Sequence, residues 1–223
     1  MPGRGIIIAI DGIVGAGKTT TARLVAAELG YRHLDTGAMY RALTLTALRR
    51  GIPPEDRAAL AGLVRRLGIV LEEGGRRIWC DGEEVTEAIR QPEVARKVGA
   101  YADVPLVRQA LVRQQQELGA EGGIVAEGRD TSTVVFPDAQ LKIRLVAALE
   151  ERACRRYREL TAKGVSTSLE QVTADIRARD QEDARREYGV KCQPPEVLEL
   201  DTTGMTIKEQ VSHIVSWARQ RGA

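Results

Sequence analysis

The chain alternates between short runs of consecutive apolar residues and longer segments in which apolar residues recur every three or four positions. Strands buried on both faces of a parallel sheet have uninterrupted apolar runs, whereas the wider spacing is typical of helices. Runs of strand length lie at residues 6–11, 31–35, 124–126, 142–147 and 197–200. Helical spacing covers residues 18–29, 38–50, 55–67, 105–118 and 206–219, and it also begins at residue 92. This alternation predicts an α/β fold with a doubly wound, mostly parallel sheet of five strands.

Two stretches depart from this alternation. Residues 68–86 contain three short strand-like segments separated by Gly74-Gly75 and Asp81-Gly82, which predicts a small antiparallel meander. Residues 150–187 predict a pair of arginine-rich helices with a break at Lys163-Gly164. We interpret both stretches as insertions on the parallel frame.

The charge balance argues against a protein that binds duplex nucleic acid. The 223 residues include 33 Lys and Arg against 31 Asp and Glu, a net charge of +2, whereas duplex binding needs one strongly basic face. Arginines cluster locally at residues 152–158 and 177–186. Local basicity in a nearly neutral chain favours a small polyanionic ligand.

The cysteines and the apolar runs favour a cytoplasmic protein. Cys80, Cys154 and Cys192 lack the spacing of a zinc site or a disulfide framework, so free thiols in a reducing compartment are expected. No apolar run is long enough to span a bilayer, and the N-terminal residues lack the layout of a signal peptide. His33 and His213 lie far apart, which is typical of packing or surface residues rather than ligands, and we assign them no role.

Residues 12–19, GIVGAGKT, match the phosphate-loop pattern G-x-x-x-x-G-K-[ST] between a predicted buried strand and a predicted helix. The glycines let successive backbone N–H groups converge on an anion, and the helix N-terminus adds partial positive charge. Lys18 is expected to reach the β- and γ-phosphates, and Thr19 to ligate Mg²⁺. The pattern therefore predicts ATP and Mg²⁺ as cofactors. The ATP contacts are expected from Gly12, Gly15, Ala16, Gly17, Lys18, Thr19 and Thr20.

Phosphate loops serve kinases, GTPase switches and ATP-driven machines. The Asn-Lys-x-Asp stretch of guanine-specific switches is missing, as is the acidic pair that ends an apolar strand in motor ATPases. A small-molecule kinase needs an acceptor pocket and a lid that excludes water from the transferring group. From the residues alone, the rivals are a kinase for another acceptor (UMP, dTMP, AMP or shikimate) and a nucleotide-binding switch.

Candidates for the acceptor pocket follow two predicted strands, at the carboxyl edge where open α/β sheets bind ligands. Arg41 is a candidate to bind an acceptor phosphate. Asp35 either acts on Mg²⁺ or its waters, or this segment is a strand-to-helix turn with Asp35 or Thr36 as N-cap. The segment 127–130 either binds a ligand at the same edge or forms a tight turn with a solvated ion pair.

Candidates for the lid are the arginines of the predicted helical pair. Arg179, Asp183 and Arg186 share one helical face by their spacing, and Arg152, Arg155 and Arg156 open the preceding helix. Such stripes are commonly solvated salt bridges of little energetic value. Beside a phosphate loop, we interpret them as a lid that neutralises charge on the transferring phosphoryl group.

Motifs over nearly the whole chain resemble those of one known family. They are IDG with the phosphate loop (10–19), LDTGAMYR (34–41), PLVR (105–108), GRD (128–130), VVFPDA (134–139), EERA (150–153), RD (179–180) and Asp183. Together they resemble the bacterial-type cytidylate kinases, which are nucleoside-monophosphate kinases. The resemblance implies ATP-dependent phosphorylation of CMP and dCMP to CDP and dCDP with Mg²⁺.

The same resemblance implies roles for individual residues. Lys18, Arg129, Arg179 and Arg186 are implied in phosphoryl transfer, and Arg156 in binding ATP. Implied acceptor contacts are Asp35, Thr36, Tyr40, Arg41, Arg108, Arg129, Asp130, Arg179, Asp183 and Arg186. Among these, Arg108 and Asp130 are implied to contact the cytosine edge. Cytosine offers an amino donor beside ring acceptors, whereas uracil would set a carbonyl against the carboxylate, a mismatch that is costly when buried.

The resemblance also implies an architecture and shows two departures. It implies core segments at 1–61, 103–149 and 188–223, an acceptor-binding insert at 62–102 and a lid at 150–187. A monomer is expected. Gly99 stands where the family often has Ser, and Ser132 stands where it commonly has Gly. These substitutions affect a hydroxyl contact to the base and the turn after Asp130, not the phosphate loop.

Overall fold

The computed structural model describes residues 5–72, 75–185 and 195–223, which form two sheets and flanking helices. The strands are β1 (Ile7–Gly12), β2 (Arg32–Asp35), β3 (Ile69–Glu72), β4 (Arg77–Cys80), β5 (Glu83–Glu84), β6 (Ile124–Gly128), β7 (Leu141–Val146) and β8 (Leu198–Asp201). The α-helices are α1 (Lys18–Leu29), α2 (Thr36–Arg49), α3 (Arg57–Arg66), α4 (Pro92–Ala102), α5 (Pro105–Gly119), α6 (Leu149–Ala162), α7 (Leu169–Arg185) and α8 (Ile207–Arg219).

The five strands of the main sheet are parallel and lie in the order β2-β6-β1-β7-β8. The predicted doubly wound sheet is therefore confirmed. Asp11 of β1 pairs with Gly128 of β6, and Asp35 of β2 pairs with Glu127 of β6. This register brings the carboxyl ends of three strands to one edge.

Apolar side chains bury both faces of this sheet. Because side chains alternate along a strand, Ile8 and Ile10 of β1 pack into the cluster that also holds α1 and α8 residues. Ala9 packs into the opposite cluster with residues of α2, α4 and α5. Burial on both faces explains why the strands have continuous apolar runs.

The predicted meander is confirmed as an antiparallel sheet in the order β3-β4-β5. Ile78 of β4 is fully buried in the cluster that covers one face of the main sheet. Outside the meander, on α4, the hydroxyl of Tyr101 donates to the carbonyl of Ile52 at 2.7 Å. The meander is thus packed onto the core.

Three local features differ from the predicted elements. Thr36 already begins α2, because the Asp35 carboxylate accepts from the N–H of Ala38 at 2.9 Å and caps the helix. A short 3₁₀ turn at Ala88–Arg90 was not predicted, nor was a π-helical turn at Thr131–Val135. In the described part of the chain, no helix is long and apolar enough to cross a membrane.

Candidate active site

The phosphate loop leaves the carboxyl end of β1 and leads directly into α1. Gly17 is the N-cap residue with φ of 91°, a left-handed conformation that favours glycine, and no side chain caps the helix. The first N–H groups of α1 are therefore available to an anion. This arrangement matches the one that the motif predicts.

Lys18 lies beneath this loop. Its Nζ donates to the carbonyl oxygen of Ile13 at 2.9 Å. Burial, followed by the charge of Arg129, lowers the pKa of Lys18 from 10.5 to about 7. A bound anion would raise the pKa of this amine again and favour its charged form.

Glu127 is a central residue of the site, and within the segment 127–130 the sequence analysis gave it no role of its own. It ends β6, is buried, and its Oε2 accepts from the hydroxyl of Thr19 at 3.0 Å. Its backbone carbonyl accepts from the hydroxyl of Thr36 at 2.7 Å. Glu127 therefore joins the phosphate loop to the start of α2. The signal available in the sequence was an acidic residue directly after the apolar run at 124–126.

The donor set fits Mg²⁺. Because the Thr19 hydroxyl donates a hydrogen bond to Glu127, the lone pairs of the Thr19 oxygen remain for a cation. Among the described residues no group of three or more His, Cys, Asp or Glu is placed to hold a metal. In kinases Mg²⁺ binds through one or two protein oxygens together with phosphates and water, and the Thr19 hydroxyl oxygen is a donor of that kind.

Arg108 and Asp130, the predicted base contacts, meet although they lie on different elements. The guanidinium of Arg108 on α5 forms an ion pair with the carboxylate of Asp130, which is buried. Tyr40 of α2 hydrogen-bonds Arg108, while burial raises the pKa of Tyr40. Gly99 is buried on α4. The fold therefore assembles a polar, mostly buried cluster of Arg108, Tyr40 and Asp130 from two helices and a loop.

Arg129 connects the core to α7. Its guanidinium donates to the carbonyl of Gly12 in the phosphate loop, and its Nε lies 3.1 Å from the Asp183 carboxylate. Asp183 also lies 3.5 Å from the Nε of Arg179. Burial lowers the pKa of Arg129, Asp183 opposes that shift, and the charges of Arg179 and Arg41 add to it. Several cations thus converge beside the loop. Arg186 lies outside the described residues.

Asp11 holds the turn that carries Arg129 and Asp130. Its buried carboxylate accepts from the backbone N–H groups of Thr131 and Ser132, at 2.7 and 2.8 Å. The hydroxyl of Ser132 adds a third hydrogen bond at 2.5 Å. The serine that departs from the family pattern therefore ties the π-helical turn to β1. Sequence analysis did not assign Asp11 a role.

The arginines that open α6 differ in what they contact. Arg152 is buried, donates to the carbonyls of Ala147 and Val14, and pairs with Asp180 of α7 at 2.8 Å. Arg155 donates to the carbonyl of Thr202. Arg156 is half-exposed and pairs with Glu159 on its own helix. Arg152 and Arg155 therefore hydrogen-bond protein groups in this structure, and their role in a lid stays a prediction.

Two other predicted site residues lie on α1 and α2. Thr20 is exposed on α1, and the guanidinium of Arg41 lies beside Gly37.

Comparisons with known proteins agree on one family. The family model for cytidylate kinase matches residues 8–220. The chain is 44% identical over 220 residues to the cytidylate kinase of Geobacter sulfurreducens, covering 98% of this chain and 94% of that protein. It is 47% identical over 214 residues to that of Limosilactobacillus reuteri (strain DSM 20016), covering 95% and 94%.

One solved structure adds support for the fold alone. An uncharacterized protein from Eubacterium ventriosum superposes with a TM-score of 0.54 at 8% identity, covering 96% of this chain and 98% of that one. At this identity the similarity carries no information about substrate.

Proposed function

Because the chain belongs to the cytidylate kinase family, we propose that it transfers the γ-phosphoryl group of ATP to CMP and dCMP. The products are ADP with CDP or dCDP. One observation carries the proposal beyond the family: cations converge beside the phosphate loop, where the charges of Arg179 and Arg41 lower the pKa of Arg129 and the charge of Arg129 lowers that of Lys18. Such a concentration of cations is suited to two polyphosphate substrates.

The donor nucleotide binds at the phosphate loop. Residues 12–20 surround the β- and γ-phosphates with backbone N–H groups and the Lys18 amine. Thr19 would hold Mg²⁺ through its hydroxyl oxygen while that hydroxyl donates a hydrogen bond to Glu127. Bound there, Mg²⁺ would supply positive charge to offset the negative charge that develops in phosphoryl transfer. Arg156, which is half-exposed on α6 and pairs with Glu159 of its own helix, closes over ATP.

The acceptor binds between α2, α5 and α7. Arg41 and Arg129 hold its phosphate, with Thr36 and Asp35 at the start of α2. The Arg108–Asp130 cluster and Tyr40 face the base, because a carboxylate and a guanidinium complement the amino donor and ring acceptors of cytosine. Arg179 and Asp183 contact the sugar, and Arg186 contacts a phosphate.

The reaction is an in-line displacement that needs little covalent chemistry from the protein. An oxygen of the acceptor phosphate bonds to the γ-phosphorus while the bond to the β–γ bridging oxygen breaks, and ADP leaves. The acceptor oxygen is already anionic, so no general base is required. The insert at 62–102 and the lid at 150–187 exclude water from the transferring group. We propose that the enzyme works as a cytoplasmic monomer.

The first test is acceptor profiling. Purified protein is incubated with Mg-ATP and each of CMP, dCMP, UMP, dTMP, AMP and GMP, and ADP release is measured. Fast release with CMP and dCMP is expected. Fast ADP release with a different acceptor would contradict the assignment of cytosine as the acceptor base. No ADP release with any acceptor would favour a nucleotide-binding switch.

A variant pair tests the base contact. Asp130→Asn should lower kcat/KM for CMP by about 10- to 100-fold, the effect expected from losing a hydrogen bond to a charged group. It should also lower the ratio of kcat/KM for CMP to kcat/KM for UMP. Asp138→Asn is the matched control, because Asp138 is exposed in the same segment. An unchanged CMP-to-UMP ratio in Asp130→Asn would contradict the assignment.

A further inference from the structure

The Glu127 carboxylate has a second partner on the side away from the phosphate loop. Its Oε1 lies 3.2 Å from the Nε2 of His33 on β2, and both side chains are almost completely buried. An ionised carboxylate only accepts hydrogen bonds, so Nε2 is the donor. His33 therefore holds one carboxylate oxygen and leaves the other, Oε2, directed at the hydroxyl of Thr19.

The insert touches the other side of the same imidazole. Gly75, which precedes β4, adopts φ of +81° and packs against the ring. A Cβ at this position would lie 2.5 Å from Nδ1 and 3.3 Å from Cε1 of His33. The backbone of Gly75 thus occupies the space beside the ring, where only glycine fits.

We propose that His33 is a positioning residue for the phosphate-loop cation site. Through Glu127 it sets the orientation of the Thr19 hydroxyl, and the insert backbone at Gly75 fixes the plane of its ring. The inference rests on the proposed function, since it assumes that Thr19 ligates Mg²⁺. It adds that the insert supports the metal site of the donor nucleotide as well as covering the acceptor.

The physical reason lies in the freedom of a glutamate side chain. Its three torsions leave the carboxylate poorly located unless both oxygens are held. Partners behind a ligand commonly change metal affinity by about 10- to 100-fold when they are removed. The chain of contacts joins residues 75, 33, 127 and 19, which belong to four different elements of the fold.

The primary test compares His33→Phe with His33→Gln. Phe fills similar space without a donor, whereas the Gln amide donates to Glu127. The affinity of a non-hydrolysable ATP analogue is measured by calorimetry with Mg²⁺ and again with EDTA. His33→Phe should lower the Mg²⁺-dependent gain in affinity by about tenfold and leave the EDTA value unchanged. His33→Gln should recover most of the gain.

A glycine pair tests the contribution of the insert. Gly75→Ala and Gly82→Ala introduce the same left-handed strain, at φ of +81° and +82°, but a Cβ at Gly82 meets nothing within 4 Å. Only Gly75→Ala should weaken the Mg²⁺-dependent gain. In a His33→Ala background the gain is already lowered, and Gly75→Ala should add no further loss because the ring that it would displace is gone.

The outcomes separate this inference from the proposed function. A wild-type protein that does not bind the analogue in the presence of Mg²⁺ would overturn both. Normal wild-type binding with an unaltered Mg²⁺-dependent gain in His33→Phe would overturn the positioning role alone. Equal losses of the Mg²⁺-dependent gain in Gly75→Ala and Gly82→Ala would contradict a contribution of the insert to the cation site.

Discussion

Lys18 shows how the tertiary environment changes the chemistry of one side chain. Its amine donates to Ile13, and burial together with the charge of Arg129 lowers its pKa to about 7. The pKa in the folded protein is thus below the ordinary value of 10.5. Without nucleotide, the fold therefore gains stability from this group as pH rises from about 7 towards 10.5, because the unfolded chain binds more protons there.

Nucleotide binding at pH 8 should be accompanied by proton uptake. With a pKa of about 7 the Lys18 amine is mostly neutral at pH 8, and a bound triphosphate favours its charged form, so close to one proton should be taken up. Calorimetry in buffers of different ionisation enthalpy measures this number. Lys18→Met is the control, because Met cannot bind a proton and the remaining exchange then comes from the nucleotide itself. The same uptake in both proteins would show that another group supplies it.

At the scale of elements, the contact between α6 and α7 explains how an arginine-rich helical pair is held near the phosphate loop. Arg152 donates to the Val14 carbonyl of the loop and pairs with Asp180 on α7. Apolar packing of Ala153, Val172 and Ile176 adds a small separate core. The position of α7, which carries Arg179 and Asp183, is thus linked to the conformation of the loop.

Removing Asp180 should loosen α7 selectively. Asp180→Ala leaves the buried Arg152 guanidinium without its carboxylate partner, and a loss of about 1–2 kcal/mol in local stability is expected because Asp180 is partly exposed. Amide hydrogen exchange at residues 169–185 should accelerate roughly 5- to 30-fold. Glu159→Ala, at an exposed pair on α6, is the control. Equal exchange in both variants would mean that apolar packing alone holds α7.

At the scale of the molecule, the site lies where the parallel sheet, the insert and the helical pair meet. β1, β2 and β6 end at one edge, the insert contacts β2 through Gly75 and His33, and α7 contacts the core through Arg129. A ligand bound there would touch groups from all three parts. Ligand binding should therefore stabilise the fold as a whole.

Thermal unfolding measures that stabilisation. A non-hydrolysable ATP analogue at one hundred times its Kd should add about 2.7 kcal/mol to the free energy of unfolding. For a chain of this length, that corresponds to a rise in Tm of roughly 5–11 °C. Lys18→Ala should abolish most of the shift at the same analogue concentration, whereas Lys208→Ala, at an exposed position on α8, should keep it. A shift retained by Lys18→Ala would contradict binding at the phosphate loop.

Much of the fold and part of the site follow from local sequence signals. The apolar runs predict the five strands of the main sheet, the glycine turns predict the meander, and residues 12–19 predict the phosphate loop. Each signal is carried by contiguous residues whose spacing reflects strand, turn or helix geometry. The family resemblance added Arg108 and Asp130 as base contacts, which composition and periodicity alone did not assign.

The sequence by itself thus determined the class of fold, the loop that binds phosphate and the family. Only the tertiary structure showed that Glu127 accepts from Thr19, that His33 contacts the Glu127 carboxylate, and that Asp11 holds the turn at Ser132. These partners lie 108, 94 and 121 positions apart. Such contacts depend on strand order and register, and on how the insert packs against β2. No pattern of neighbouring residues encodes them, because each is set by the packing of elements that are distant along the chain.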